Sequence, residues 1–252
     1  MFISCWSVKG GAGTTIVAAA LALGLARRAG RALAVDLAGD LPTTFGMAEP
    51  VGPGVSDWCA VGERAPADGL ARCELPVTAD VALLWRGAGR LGPEANGSLL
   101  AEQLRGGSAP AVVDAGLVGA AGADHADEAM RCRVVVAADV SLLVIRPCYV
   151  SLRRAMAGLV RPTAVVVIDE PGRSLNARDV RDVLGVPVLA ELMVDPCVGR
   201  ATDAGLLASR LPRALTRALA PVLDELVGVV PPLPDANRAG SLAEPPASEI
   251  SR

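Results

Sequence analysis

Aromatic residues are scarce in this sequence: three Trp, two Phe and one Tyr make up 2% of 252 residues. A core must then be built from Ala, Val and Leu, and a hydrophobic content of 52% is ample for one. Lysine is rarer still. Of 24 basic residues 23 are arginine, and the one lysine is Lys9. Histidine also occurs once, as His125 beside Asp124, Asp127 and Glu128. A metal centre needs more converging ligands than that short segment offers, and a cysteine nucleophile would want a basic partner. His125 is expected at an exposed helix start.

The six cysteines, Cys5, Cys59, Cys73, Cys132, Cys148 and Cys197, form no C-x-x-C pair. Free thiols in a reducing cytosol are expected rather than a disulfide framework. The longest apolar run, Val134 to Ile145, is broken by Asp139 and too short to span a bilayer. No basic stretch precedes an apolar one at the start, so no signal peptide is expected and the chain reads as cytoplasmic. A net charge of −3 gives no general attraction to nucleic acid.

What the sequence does have begins at once. Phe2 to Val8 reads as a buried strand, and Lys9-Gly10-Gly11-Ala12-Gly13-Thr14-Thr15 as a glycine-rich turn. Ile16 to Arg28 reads as a helix. In that context glycines let backbone N–H groups converge on phosphate, and the helix N-terminus adds partial positive charge. The Thr15 hydroxyl is placed to ligate a phosphate-bound Mg²⁺. The lone lysine falls inside this loop, where a compact ammonium suits an anion.

Apolar strands then alternate with helical stretches, which implies an α/β fold with a mainly parallel sheet. Arg31 to Leu37 is a second strand, closed by Asp36 about 20 residues past the loop. An acid there could hydrogen-bond a ribose in a dinucleotide site. Against this, Ile16 stands where that fingerprint wants Gly or Ala. Further strands are expected at Val81–Trp85, Ala111–Gly116, Ala138–Ile145, Thr163–Ile168 and within Leu184–Leu192. Helices are expected at Val55–Ala60, Pro93–Arg105 and from Val150. Residues 40–80 are rich in Gly and Pro and read mostly as loop. Leu211–Val230 reads as a final helix that Pro221 must kink or restart. Residues 231–252, rich in Pro, Ala, Ser and Glu, read as a disordered tail to a domain of residues 1–230.

The loop Lys9 to Thr15 resembles the deviant Walker A motif, K-G-G-x-G-K-[ST], of the MinD/ParA family of P-loop ATPases. The resemblance continues in order. Val35-Asp36-Leu37-Ala38 is similar to the family's I-D-x-D switch, and the strand ending in Asp114 to its Walker B strand. Ala138-Asp139 through Pro147 is similar to its A-D-x-x-L-L-V-x-x-P strand. Asp195-Pro196 to Gly205 is similar to its D-P-x-x-x-x-A-x-D-x-G segment. Together these pieces run from residue 2 to about residue 209.

The resemblance implies a P-loop NTPase-like three-layer fold that binds ATP and Mg²⁺. Gly10, Gly11, Ala12, Gly13, Thr14 and Thr15 would hold phosphate, and Thr15 and Asp114 the metal. Lys9 would reach a partner's phosphates across a nucleotide-dependent homodimer, and Asp36 would order the switch. Two family positions tied to hydrolysis are changed. Thr14 replaces the second lysine and Ala38 the second acid, with Asp40 two residues on as a rearranged substitute. Any ATP hydrolysis is therefore expected to be weak.

The family reading implies a switch that positions or regulates an unidentified protein partner in cell division, chromosome partitioning or envelope machinery. A pseudo-ATPase scaffold is the alternative, and a dinucleotide enzyme a third. The family's adenine-reading Asn is missing near Asp169-Glu170, which leaves base specificity open. Arginines 153, 154, 161, 173, 178 and 181 could form a DNA-binding face. The acids interleaved with them favour a solvated surface. The tail lacks the basic amphipathic helix of membrane-cycling members, so direct membrane binding is not expected.

Overall fold

The computed structural model describes residues 1–119 and 125–227. Its strands are β1 (Phe2–Ser7), β2 (Ala32–Asp36), β3 (Glu74–Pro76), β4 (Val81–Leu84), β5 (Ala111–Leu117), β6 (Val140–Ile145), β7 (Ala164–Asp169) and β8 (Val188–Met193). They form one sheet in the order β3-β4-β2-β5-β1-β6-β7-β8. Every pairing is parallel except that of β3 with β4. The helices are α1 (Thr14–Ala29), α2 (Leu41–Phe45), α3 (Val55–Val61), α4 (Glu94–Gly106), α5 (His125–Ala137), α6 (Tyr149–Ala157), α7 (Ala177–Leu184), α8 (Pro196–Asp203), α9 (Arg213–Ala218) and α10 (Ala220–Val227).

Strands covered on both faces read as unbroken apolar runs rather than alternating ones. β1 is the clearest case, since all six of its residues are buried. Ile3 and Cys5 join a cluster with α1, α2, α9 and α10 on one face. On the other face Phe2 packs with α4 and α5, and Trp6 with residues of α6 and α7. These are the three layers the sequence implied.

With few aromatics, close approach does the work that bulk does elsewhere. α1 buries seven small or medium apolar positions in a row, Val17 to Leu23. At Gly24 a Cβ would lie 2.6 Å from Leu223 Cδ1, so the missing side chain lets α10 settle onto α1.

Leu211–Val230 is not one helix. α9 ends at Ala218, and α10 restarts at Ala220 with Pro221 in its first turn, where the missing N–H costs nothing. The loop-rich stretch after residue 40 also contains α2 and the short antiparallel β3. The apolar run from Val134 is divided between the end of α5 and β6. α5 starts at His125, so the helix-start part of that expectation is met. Among the described residues all six cysteines are free, and no helix is long and apolar enough to cross a membrane. The tail, residues 231–252, lies outside the described residues.

The sheet order bears on the dinucleotide reading. In that fold the acid-bearing second strand lies directly beside the first. Here β5 is inserted between β1 and β2. Asp36 is thereby moved away from the glycine loop and set beside Asp114, its register partner.

Candidate phosphate and magnesium site

The loop between β1 and α1 is shaped by two left-handed glycines, Gly11 at φ 74° and Gly13 at φ 90°. Side chains at Gly10 and Gly11 would meet nothing within 4 Å, so the backbone angle, not crowding, makes Gly11 necessary. Gly13 is the N-cap of α1, and its carbonyl accepts the first helical hydrogen bond from Val17 N–H at 3.0 Å. No side chain caps this end. Orphan N–H groups of the first turn thus face a glycine loop, which is a ready anion site. The loop is pinned from behind: Arg154 donates from Nη1 to the Val8 carbonyl at 3.2 Å, and Val118 N–H to that of Ser7 at 2.8 Å.

Asp114 ends the apolar part of β5 and is fully buried. Its Oδ1 accepts from Gly116 N–H at 3.0 Å, while Oδ2 is buried without a hydrogen-bond partner among the described residues. Burial pushes this carboxyl up to about 7, against the pull of the Thr15 hydroxyl; the Asp36 charge raises it further. The Thr15 hydroxyl is thus close enough to the carboxylate to act on it. An orphaned carboxylate oxygen beside a hydroxyl at the mouth of a phosphate loop fits a hard divalent cation such as Mg²⁺. The neighbouring Cys5 thiol is driven up by burial and by the Asp114 charge, and is inert.

Asp36 is also fully buried but well served. Ala38 and Gly39 N–H donate to its Oδ1 at 3.0 and 2.7 Å, and Leu41 N–H to Oδ2 at 3.2 Å. Burial nevertheless raises it to about 6. It ties down residues 38–41 at the start of α2. Ala38 packs against Gly116, where a Cβ would come within 2.9 Å of its own. Asp40 stands exposed at the N-cap of α2 without a capping hydrogen bond.

Lys9 is exposed and lines a cavity of about 200 Å³ with Gly10, Gly11, Arg146, Cys148, Glu170 and Arg173. Glu170 is bonded to Arg173 at 2.9 Å, and that bond holds its carboxyl below the usual range. A second cavity, of about 250 Å³ and mostly apolar, lies on the other side of Gly13. Ile16, Ile168, Met193, Pro196 and Val198 line it.

The structure thus gathers Lys9 to Thr15, Asp36, Asp40 and Asp114 toward the carboxyl ends of the interior strands β1, β2 and β5. Of the arginine face, Arg173 and Arg178 are paired with Glu170 and Asp182, in line with a solvated surface. Sequence reasoning missed Asp127. It accepts from Leu91 and Gly92 N–H and pairs with Arg86 at 2.7 Å, clamping the loop after β4. Nothing in a helix-start acid marks it for that role. Arg146 was also missed, although its place at a strand end just before Pro147 was a usable signal.

No family model matches the sequence, and neither does any curated protein. Solved structures do match. A ParA family ATPase from Chlorobium tepidum superposes with a TM-score of 0.69 at 17% identity, over 91% of this chain and 98% of that one. The MinC:MinD cell division complex of Aquifex aeolicus gives 0.68 at 20% identity, over 92% and 98%. The septum site-determining protein MinD of Pyrococcus horikoshii, complexed with Mg-ADP, gives 0.64 at 22% identity, over 90% and 97%. Over about nine-tenths of its length, this chain has the P-loop fold of the ParA and MinD ATPases.

Proposed function

We propose that this chain is a MinD/ParA-like, ATP-binding switch of the cytoplasm, acting on a protein partner through a nucleotide-dependent homodimer. The orphaned Oδ2 of Asp114, facing Thr15 beneath an uncapped glycine loop, carries the reading. Magnesium, when bound there, supplies charge against the phosphates and a fixed bridge to the protein. Gly10–Gly13, Thr14 and Thr15 cradle phosphate, and Thr15 and Asp114 serve the metal. Lys9, exposed on the loop's first turn, is free to act on a second copy. Asp36 links the state of the site to residues 38–41. One structural relative is a complex with Mg-ADP and another with MinC, which supports a nucleotide ligand and a protein partner of that general kind.

Scattering mass tests this directly. With Mg²⁺ and a non-hydrolysable ATP analogue the wild type is expected to double in mass, whereas Lys9→Ala stays monomeric. An unchanged wild-type mass with no co-eluting analogue overturns the switch.

The scaffold reading has its own observation. At position 38 a methyl group packs on Gly116 where the family would place a carboxylate, so no acid is built there to orient water. Asp40 is near but unanchored. Turnover is accordingly expected to be slow. Mg²⁺-dependent ATP hydrolysis that Lys9→Ala abolishes would rule out a scaffold without turnover.

A further inference from the structure

A triphosphate held only by backbone N–H groups and one metal lacks a close monovalent cation, and Thr14 supplies none. Its hydroxyl side chain is buried at the start of α1. Lys9 is the only lysine, and in the reading above it serves the other subunit.

Arg146 stands where such a cation is needed. It directly follows β6, which lies between β1 and β7. Trp6 pairs with Leu143, so three residues further on Lys9 and Arg146 leave adjacent strands at the same height. On the other side Ile145 pairs with Val167. The next residue there, Ile168, reaches to 3.9 Å from where a Cβ on Gly13 would sit. Arg146 therefore sits between the loop and the apolar cavity, and it lines both cavities.

Its backbone is held firmly. Pro147 follows it, and Ser151 Oγ donates to its carbonyl at 2.8 Å. Its side chain is exposed and shares a cavity with Glu170, whose carboxyl its charge helps to hold low, but among the described residues it forms no hydrogen bond or ion pair. Arg173, the other arginine of these cavities, is committed to Glu170. A guanidinium on a fixed backbone, without a hydrogen-bonded carboxylate among the described residues and lining both cavities beside the phosphate loop, suits bidentate binding of phosphate oxygens.

We propose that Arg146 is the phosphate-binding cation of this chain, taking in the same subunit the charge role that Thr14 cannot. The ligand class is a nucleoside di- or triphosphate, and the proposal rests on the nucleotide reading given above. It relocates the cation from the helix to the neighbouring strand end.

The test is binding of a fluorescent ATP analogue with Mg²⁺ to the full chain, with adenosine as a second ligand. Arg146→Ala is expected to weaken the triphosphate roughly 10–100-fold and leave adenosine unchanged. Arg146→Lys is expected to keep part of the affinity. Adding Thr14→Lys to Arg146→Ala is expected to restore it. Because the side chain is exposed, unfolding midpoints should not move. If Arg146→Ala binds as the wild type does, the nucleotide reading stands and this proposal falls. Equal loss for both ligands assigns Arg146 to base packing and also overturns it. Failure of Thr14→Lys to restore binding overturns the exchange of roles. A wild type that binds neither ligand removes the nucleotide reading and this proposal together.

Discussion

Asp114→Asn is expected to make the nucleotide-free protein more stable above pH 7 while abolishing Mg²⁺-dependent nucleotide binding. Asp114 and Asp36 are register partners on adjacent buried strands, raised to about 7 and about 6, in each case chiefly by burial. Both carboxyls bind their proton more tightly in the folded than in the unfolded state. The folded state therefore holds the extra protons between about pH 4 and pH 7, and stability falls as pH rises through that window. Below it both states are protonated and the contribution is flat. Removing the Asp114 charge relieves its burial penalty and its repulsion with Asp36. The gain is on the order of 2 kcal/mol at about pH 8 and vanishes near pH 3.5. Urea midpoints of both proteins at pH 4 and pH 8 decide it. A variant less stable than wild type at pH 8 would show that the charge is already compensated, and the argument for a waiting cation ligand would fail.

A second large effect is expected far from the phosphates. At Gly46, the C-cap of α2 at φ 76°, a Cβ would lie 2.0 Å from the Gly205 carbonyl oxygen. Neither atom belongs to a flexible side chain, so the backbones must part. Left-handed strain and overpacking together give Gly46→Ala a destabilisation of roughly 2–5 kcal/mol. Gly185→Ala is the control. It has φ 67° at the C-cap of α7 with nothing within 4 Å, so only the strain remains, about 1–2 kcal/mol. Equal shifts in the two urea midpoints would mean that the Gly46–Gly205 contact can relax. The contact joins α2, which Asp36 positions, to the turn that ends α8. Its loss is therefore expected to weaken nucleotide binding as well as folding.

Much of this architecture could be read from the residues because the core strands are continuous apolar runs and the helix after the loop opens on left-handed glycines. Asp36 and Asp114 were recognisable as strand-end acids. Their meeting was not, because adjacency depends on β5 entering between β1 and β2, which no local pattern encodes. The same holds for Arg146, whose neighbours come from three separate strands. β3 was hidden by its length of three residues and its proline. The break between α9 and α10 was foreshadowed by Pro221, whereas nothing local fixed Leu219 as the hinge.

The shortage of aromatics has an optical consequence. Trp6 is buried three residues before Lys9, and its indole Nε1 donates to Ser141 Oγ at 2.9 Å across the β1–β6 seam. Trp58 is also buried, on the same face of the sheet in the cluster of Phe2, Val35 and Leu84, and Trp85 is tied to the Pro53 carbonyl. Three indoles in three distinct surroundings give the protein an intrinsic emission spectrum in which the Trp6 component lies on the strand that feeds the loop. Replacing Trp58 and Trp85 by Phe leaves one indole, which excitation at its red edge separates from Tyr149. A change in its emission on adding Mg-ATP then follows events at the loop in real time, without any attached dye.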